Sequence, residues 1–307
     1  MTRRQLGFVF GLLALLTGAW FALRSDGLGS GPAGGTLDLA AAVGSDVSQI
    51  RIVEPDSGVI QLGIDDGRWM VNGYVAEDSL LEAMLTRMAA LAPARVIARN
   101  PANHARLGVA DDSTRRVEFG PAGDPAFVFL LGGAGPEGRF VRLPDRPEVY
   151  VVELAAVRDL DRNQVQWRDP TIASVDTAAL RRIAIKRGTD PFFEVRRDQS
   201  GTWRIAGALA DTAVIRLFME TMMDLEATGF PADSFVFAVD FDRPDAILNL
   251  YSGVLPTDPP SWSLLFATVA TRPEVLVRRA DDPIAYATDP ATANLLVGGR
   301  SRWRAAP

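Results

Sequence analysis

The sequence has no cysteine and one histidine, His104. Disulfides, thiolate zinc sites, iron–sulfur clusters and cysteine nucleophiles are therefore excluded, as is any site that needs two imidazoles. Lysine is nearly absent too, with Lys186 alone, so almost every cation is an arginine. Basic residues number 32 against 38 acidic ones, a net charge of −6, and that balance argues against nucleic acid as a partner. What the chain does have is a globular composition: 307 residues, 48% of them hydrophobic, with 27 Gly and 20 Pro. It is too apolar for a disordered chain and long enough for about two domains with separate cores.

Long uncharged runs are missing everywhere except at the amino terminus. Arg3 and Arg4 precede Leu6 to Leu23, 18 residues without a charge, and Arg24 follows. As a helix this run is about 27 Å long, close to the ~30 Å hydrocarbon core of a bilayer. Residues 1–24 thus read as a transmembrane signal anchor. The leading arginines predict a cytoplasmic amino terminus and an extracytoplasmic, periplasmic body on a single-pass protein of the bacterial inner membrane. A cleaved secretory signal is the rival reading, but Trp20 is too bulky at the third position before a cut after Ala22. Without residues 1–24, which carry three Arg and no acid, 29 basic and 38 acidic residues remain, a net charge of −9. Residues 25–47 open on the glycine-rich stretch Ser25 to Gly35 and read as a flexible linker.

The rest of the chain is self-similar. Gly67-Arg68-Trp69-Met70-Val71-Asn72-Gly73 returns as Gly201-Thr202-Trp203-Arg204-Ile205-Ala206-Gly207, 134 positions later. Each copy is followed by apolar residues at helical spacing: Leu80, Leu81, Met84, Leu85, Met88 and Leu91, then Val214, Ile215, Phe218, Met219, Met222 and Leu225. Asp78 and Thr212 are the candidate N-caps, with Ser79 and Glu82 as an alternative capping box. Further on, Val141-Arg142 matches Val277-Arg278, Tyr150 matches Tyr286, and Trp167-Arg168 matches Trp303-Arg304. The expected fold class is α+β: a transmembrane helix followed by two tandem homologous repeats over 48–172 and 173–307, each mostly antiparallel sheet with one main helix.

Within the first repeat, Ile50 to Val53 and Val59 to Ile64 predict a hairpin turned by Pro55-Asp56-Ser57-Gly58, and a third strand begins at Gly67 after an Asp-Asp-Gly turn. Later strands are predicted over 94–98, 116–119, 126–131, 139–143 and 149–152, with a short helix from Leu154 to Leu160. Trp69 and Trp203 are expected as core anchors. The tryptophan strand at Trp69, the Asn72-Gly73 turn, the amphipathic helix, the strand Val149-Tyr150 and the ending Trp167-Arg168-Asp169, behind one apolar amino-terminal segment, resemble a bacterial family called domain of unknown function 4340. The resemblance implies an accessory role in the envelope, because members are often encoded beside gliding-type ABC transporters. It carries over no catalytic residue.

A search for chemistry yields no catalytic, cofactor or metal site. The run Gly132 to Gly138 lacks the Lys and the following helix of a phosphate cradle and carries an acid, so it reads as a hairpin. His104 has no nucleophile elbow to serve. The acidic pairs Asp65-Asp66, Asp111-Asp112 and Asp281-Asp282, and Asp240-Phe241-Asp242, all adjoin turns and read as solvated. Arg158, Arg162, Arg168, Arg181, Arg182 and Arg187 are expected to pair with local acids such as Asp159, Asp161 and Asp169. The function this predicts is a non-enzymatic, membrane-anchored extracytoplasmic accessory or docking protein for an envelope complex. Its expected partners are the lipid bilayer through residues 6–23 and envelope or ABC-transporter membrane proteins, without nucleic acid. The alternatives are a carboxylate-dependent envelope hydrolase and an extracytoplasmic small-ligand-binding protein with its site between the repeats.

Overall fold

The computed structural model describes residues 36–44, 47–55, 58–269 and 272–305. The chain divides into two compact units, the first ending at Asp169 and the second beginning at Pro170.

In the first unit the elements run β1 (Thr36–Leu37), β2 (Gln49–Glu54), β3 (Gly58–Asp65), β4 (Arg68–Val71), β5 (Tyr74–Val75), α1 (Asp78–Ala89), β6 (Ala94–Ala98), α2 (His104–Leu107), β7 (Arg115–Gly120), β8 (Phe127–Gly135), β9 (Gly138–Arg142), β10 (Val149–Val152) and α3 (Leu154–Val157). Its ten strands form one antiparallel sheet ordered β1-β6-β10-β9-β8-β7-β2-β3-β4-β5. Alternation decides which face is covered. Ile50, Ile52, Leu62, Val117 and Phe119 point to the core, where Leu81, Met84 and Met88 of α1 meet them. Leu37 and Leu39, which the sequence places in the linker, are also buried there.

The second unit holds β11 (Thr171–Ala173), β12 (Arg182–Arg187), β13 (Phe193–Arg197), β14 (Trp203–Ile205), β15 (Ala208–Leu209), α4 (Thr212–Met223), β16 (Leu225–Glu226), α5 (Asp233–Val236), β17 (Ala246–Tyr251), β18 (Trp262–Thr268), β19 (Val275–Arg279), β20 (Ala285–Thr288) and α6 (Pro290–Val297). Eight strands are ordered β15-β14-β13-β12-β17-β18-β19-β20, and β11 pairs separately with β16. Ile215, Phe218 and Met222 of α4 fill its core. Trp69 and Trp203 pack partly buried against their respective cores.

The expected fold class requires correction. The findings support an α+β fold with several sheets, but not the transmembrane helix that was to precede them. Among the described residues no helix is long and apolar enough to cross a membrane. The longest, α1 and α4, have 12 residues each, about 18 Å against a ~30 Å core. The run from residue 6 to 23 lies outside the described residues, as do Ser25 to Gly35 and the middle of the turn at Pro55-Asp56-Ser57-Gly58. The signal anchor, the bilayer as partner, the single-pass inner-membrane topology and the membrane-anchored accessory role all rested on that helix and lose their support. Nor is a closed repeat formed. Both main sheets are open and differ in strand number, because in the second sheet no strand takes the place of β1 and that of β6 is reduced to one bridge, Gly229 to Ala287.

Each helix starts one residue earlier than the sequence suggests. Glu77 is the N-cap of α1, and Asp211 caps α4 by accepting from Ala213 N and Val214 N at 2.8 and 3.1 Å. The tight turns are of the kind that needs positive φ at both central residues. Asp66-Gly67 and Asn72-Gly73 meet that need with favoured residues, whereas Ala206, at φ 48°, does so with a Cβ in the way. Ala206→Asn is therefore expected to stabilise the second unit by about 1 kcal/mol, read as a higher urea midpoint.

Asp289 caps α6, accepting from Ala291 N, Thr292 N and Thr292 Oγ1. The Thr292 hydroxyl, followed by its N–H, holds this carboxyl below the usual range. A lowered folded pKa means the contribution is complete above about pH 4 and is lost as pH falls through the folded value. Asp289→Ala should cost about 1 kcal/mol at neutral pH, and the gap from the native chain should close on acidification. Urea unfolding at several pH values checks both.

Candidate functional site

The acidic pairs and the lone histidine are spread over structural tasks. His104 donates from Nε2 to the Pro147 carbonyl at 2.9 Å. Asp65 and Asp66 sit at the β3–β4 turn. Asp111 pairs with Arg142, Asp240 accepts from Asp242 N, and Asp282 pairs with Arg279. Among the described residues no three His, Cys, Asp or Glu side chains gather as a metal site. Among the described residues two carboxylates have displaced pKa values, Asp289 and Asp198, and both move down. In Asp198 the cause is the Ser200 hydroxyl, then Arg204 and the Thr202 N–H. A general acid needs the opposite displacement. Tyr150 is pushed up, first by burial and then by Glu148, which keeps its hydroxyl neutral.

Most of the arginines named above have partners. Arg162 meets the buried Asp159 at 3.0 Å, and Arg87 from α1 meets the same carboxylate. Arg139 grips Asp161 through two bonds of 2.9 Å. Arg168 stacks on Tyr74 at 3.4 Å, and Arg182 stacks on Tyr251 at 3.7 Å while pairing with Glu194. Arg181 donates to the carbonyls of Ala178 and Leu180. Arg158 and Arg187 carry no ion pair among the described residues, and both are exposed.

Arg158 lies at a hollow of the first unit, about 1020 Å³, where β6, β8, β9 and β10 end beside α3. The glycine run builds one wall. Gly135 and Gly138 pair across a Pro136-Glu137 turn, so this segment is a hairpin. Gly132, Gly135 and Gly138 are required by close packing. A Cβ on Gly132 would meet the Leu107 carbonyl oxygen at 2.7 Å, and one on Gly135 would press on the Phe140 ring. Across the mouth, exposed Arg95 and Glu137 form an ion pair. Leu91 and Val151 line the floor, and Leu154 stands 43% exposed at the rim. The hollow thus offers apolar surface, the guanidinium of Arg158 and the carboxylate of Glu153, neither in an ion pair among the described residues, and two carboxylates already bound to arginines. That equipment suits holding a ligand and lacks the paired acid and base of hydrolysis.

Sequence reasoning missed this place because its wall comes from three separate stretches of the chain, 91–95, 134–139 and 151–161. It also missed Arg142, 2% exposed, whose guanidinium serves the carbonyls of Val109, Pro144 and Arg146 and the carboxylate of Asp111. The sequence marks Arg142 only through its recurrence as Arg278, and nothing in the local pattern says that it is buried.

Fold and site define a two-unit α+β protein of open antiparallel sheets with a ligand-sized hollow and no assembled catalytic group among the described residues. The chain belongs to the family described as Domain of unknown function (DUF4340), whose model matches residues 69–246, more than half of its length. The match starts in β4 and ends at the first residue of β17, so it spans both units. No curated protein and no solved structure matches the chain. The resemblance read from Trp69, Asn72-Gly73 and Trp167-Arg168-Asp169 therefore stands for the family and is corrected for its membrane-anchored part.

Proposed function

We propose that this chain is a non-catalytic binding protein and that the hollow of the first unit is its binding site. One observation carries the reading: the hollow is of ligand-site size and presents the exposed Leu154 beside Arg158, which has no ion pair among the described residues. Ligand sites usually measure about 300–1,000 Å³ and combine apolar walls with a few polar anchors. A carboxylate-dependent hydrolase finds less support, since the carboxylates at this hollow are engaged by Arg95 and Arg139, apart from Glu153 at its edge.

A photo-crosslinking residue placed at Leu154 of the full chain, in cells, tests this. A discrete crosslinked species is expected from position 154 and not from Gln61, exposed on β3, five strands away from β10 in the sheet. Equal, diffuse crosslinking from both positions would remove the hollow as a binding site.

A further inference from the structure

The second unit shows what chemistry fills this place. Val151 pairs with Arg95 in the first unit, and Ala287 bridges Gly229 in the second. Phe140 faces Val151, just as Leu276 faces Ala287. The two registers make Arg95, Gly138 and Val151 the counterparts of Gly229, Glu274 and Ala287. All six line hollows, but that of the second unit measures about 130 Å³ against about 1020 Å³.

The difference is made by the chain itself. Phe235 of α5 packs with Val236 and Val239 on Ala267, Val269, Leu276 and Ala287. Arg272 stacks over the Phe235 ring at 3.9 Å. In the first unit the segment between β6 and β7 takes another course. Leu107 and Val109 pack on Val149 with Ile97, Ala98 and Phe140 and supply no aromatic ring to the hollow. An arginine is nonetheless waiting there, Arg158, with no ion pair among the described residues.

We propose that the hollow of the first unit receives an aromatic side chain from a short segment of a partner protein. The ring would sit as Phe235 sits in the second unit, with an acidic residue beside it meeting Arg158. This rests on the reading of the hollow as the binding site and names its occupant. An aromatic anchor in a pocket with a charge at its edge is the usual core of such recognition.

The probe is a fluorescent synthetic peptide of residues 229–243 of this same chain, which carries Phe230, Phe235, Phe237 and several Asp. It is titrated against the full chain by anisotropy. Saturable binding is expected, weakened at least about tenfold by Leu154→Asp and by Phe235→Ala in the peptide. Arg158→Glu should weaken it several-fold, and added salt should shrink that difference. Circular dichroism checks that both protein variants keep the native unfolding midpoint, as exposed positions should. Absence of saturable binding, or binding indifferent to Leu154→Asp and Arg158→Glu, overturns the proposal. If a discrete crosslink from position 154 persists while the peptide fails, the aromatic occupant is wrong and the binding site stands. Loss of both removes the site as well.

Discussion

Gly138→Ala is expected to destabilise the first unit by about 3 kcal/mol, the sum of backbone strain and overpacking. Gly138 sits at φ 141°, a conformation that side chains rarely adopt. A Cβ there would also land on the Val152 carbonyl oxygen, with the Val152 carbonyl carbon at 3.0 Å. That carbonyl belongs to the last residue of β10, in the interior of the sheet order, and has little room to retreat. Gly123→Ala is the matched control. Its φ of 82° is also positive, but no atom lies within 4 Å, so strain alone applies, about 1 kcal/mol. Hydrogen exchange resolved by peptide separates the two units. The Gly138 variant should lose protection in β8, β9 and β10 while the second unit keeps its own. Equal losses for the two variants would mean that the β9–β10 approach is looser than the structure has it.

Trp303→Ala is expected to cost about 4 kcal/mol. The indole is fully buried, edge-on to Phe218 at 5.2 Å and tilted to Phe193 at 6.5 Å. Its backbone does a second task. The Trp303 carbonyl accepts from Asp211 N at 2.9 Å, Arg304 bridges Ala210, and Ala305 N donates to Leu209 O. These bonds cover the outer edge of β15. In the first unit Trp167, Arg168 and Asp169 cover β5 through Glu77, Ala76 and Val75 in the same way. Removing the indole frees this clasp, and a freed edge strand recruits other chains. Light scattering should therefore rise with the loss of stability. Trp303→Phe should cost only about 1–2 kcal/mol, because the indole N–H has no acceptor among the described residues and its removal relieves a buried unpaired donor. A phenylalanine variant as unstable as the alanine one would show that the indole N–H is bonded after all.

The Trp-Arg ending is thus explained by edge protection, and it was readable in the sequence as a recurring pair at a fixed offset. The helices were readable for a similar reason: Leu81, Met84 and Met88 keep a period that only a buried helical face demands. Their starts were misplaced by one residue, because Glu77 and Asp211 hold the N-cap positions while the better-looking Asp78 and Thr212 lie inside the first turn. The glycine hairpin was recognised from what it lacks, a lysine and a helix. Its physical cause, the approach of Phe140, Leu107 and Val152, is a matter of distant contacts.

By itself the sequence determined the α+β class, the two helical core faces, the tight turns and the family, since each is written in periodicity or in local residue chemistry. Tertiary structure alone decided that Arg142 is buried among carbonyls, that Phe235 fills in one unit a place left open in the other, and that Leu154 and Arg158 stand at that opening. Such facts depend on which segments meet in space. Side chains with the same local pattern become a staple, a plug or a binding edge according to the partners the fold brings to them.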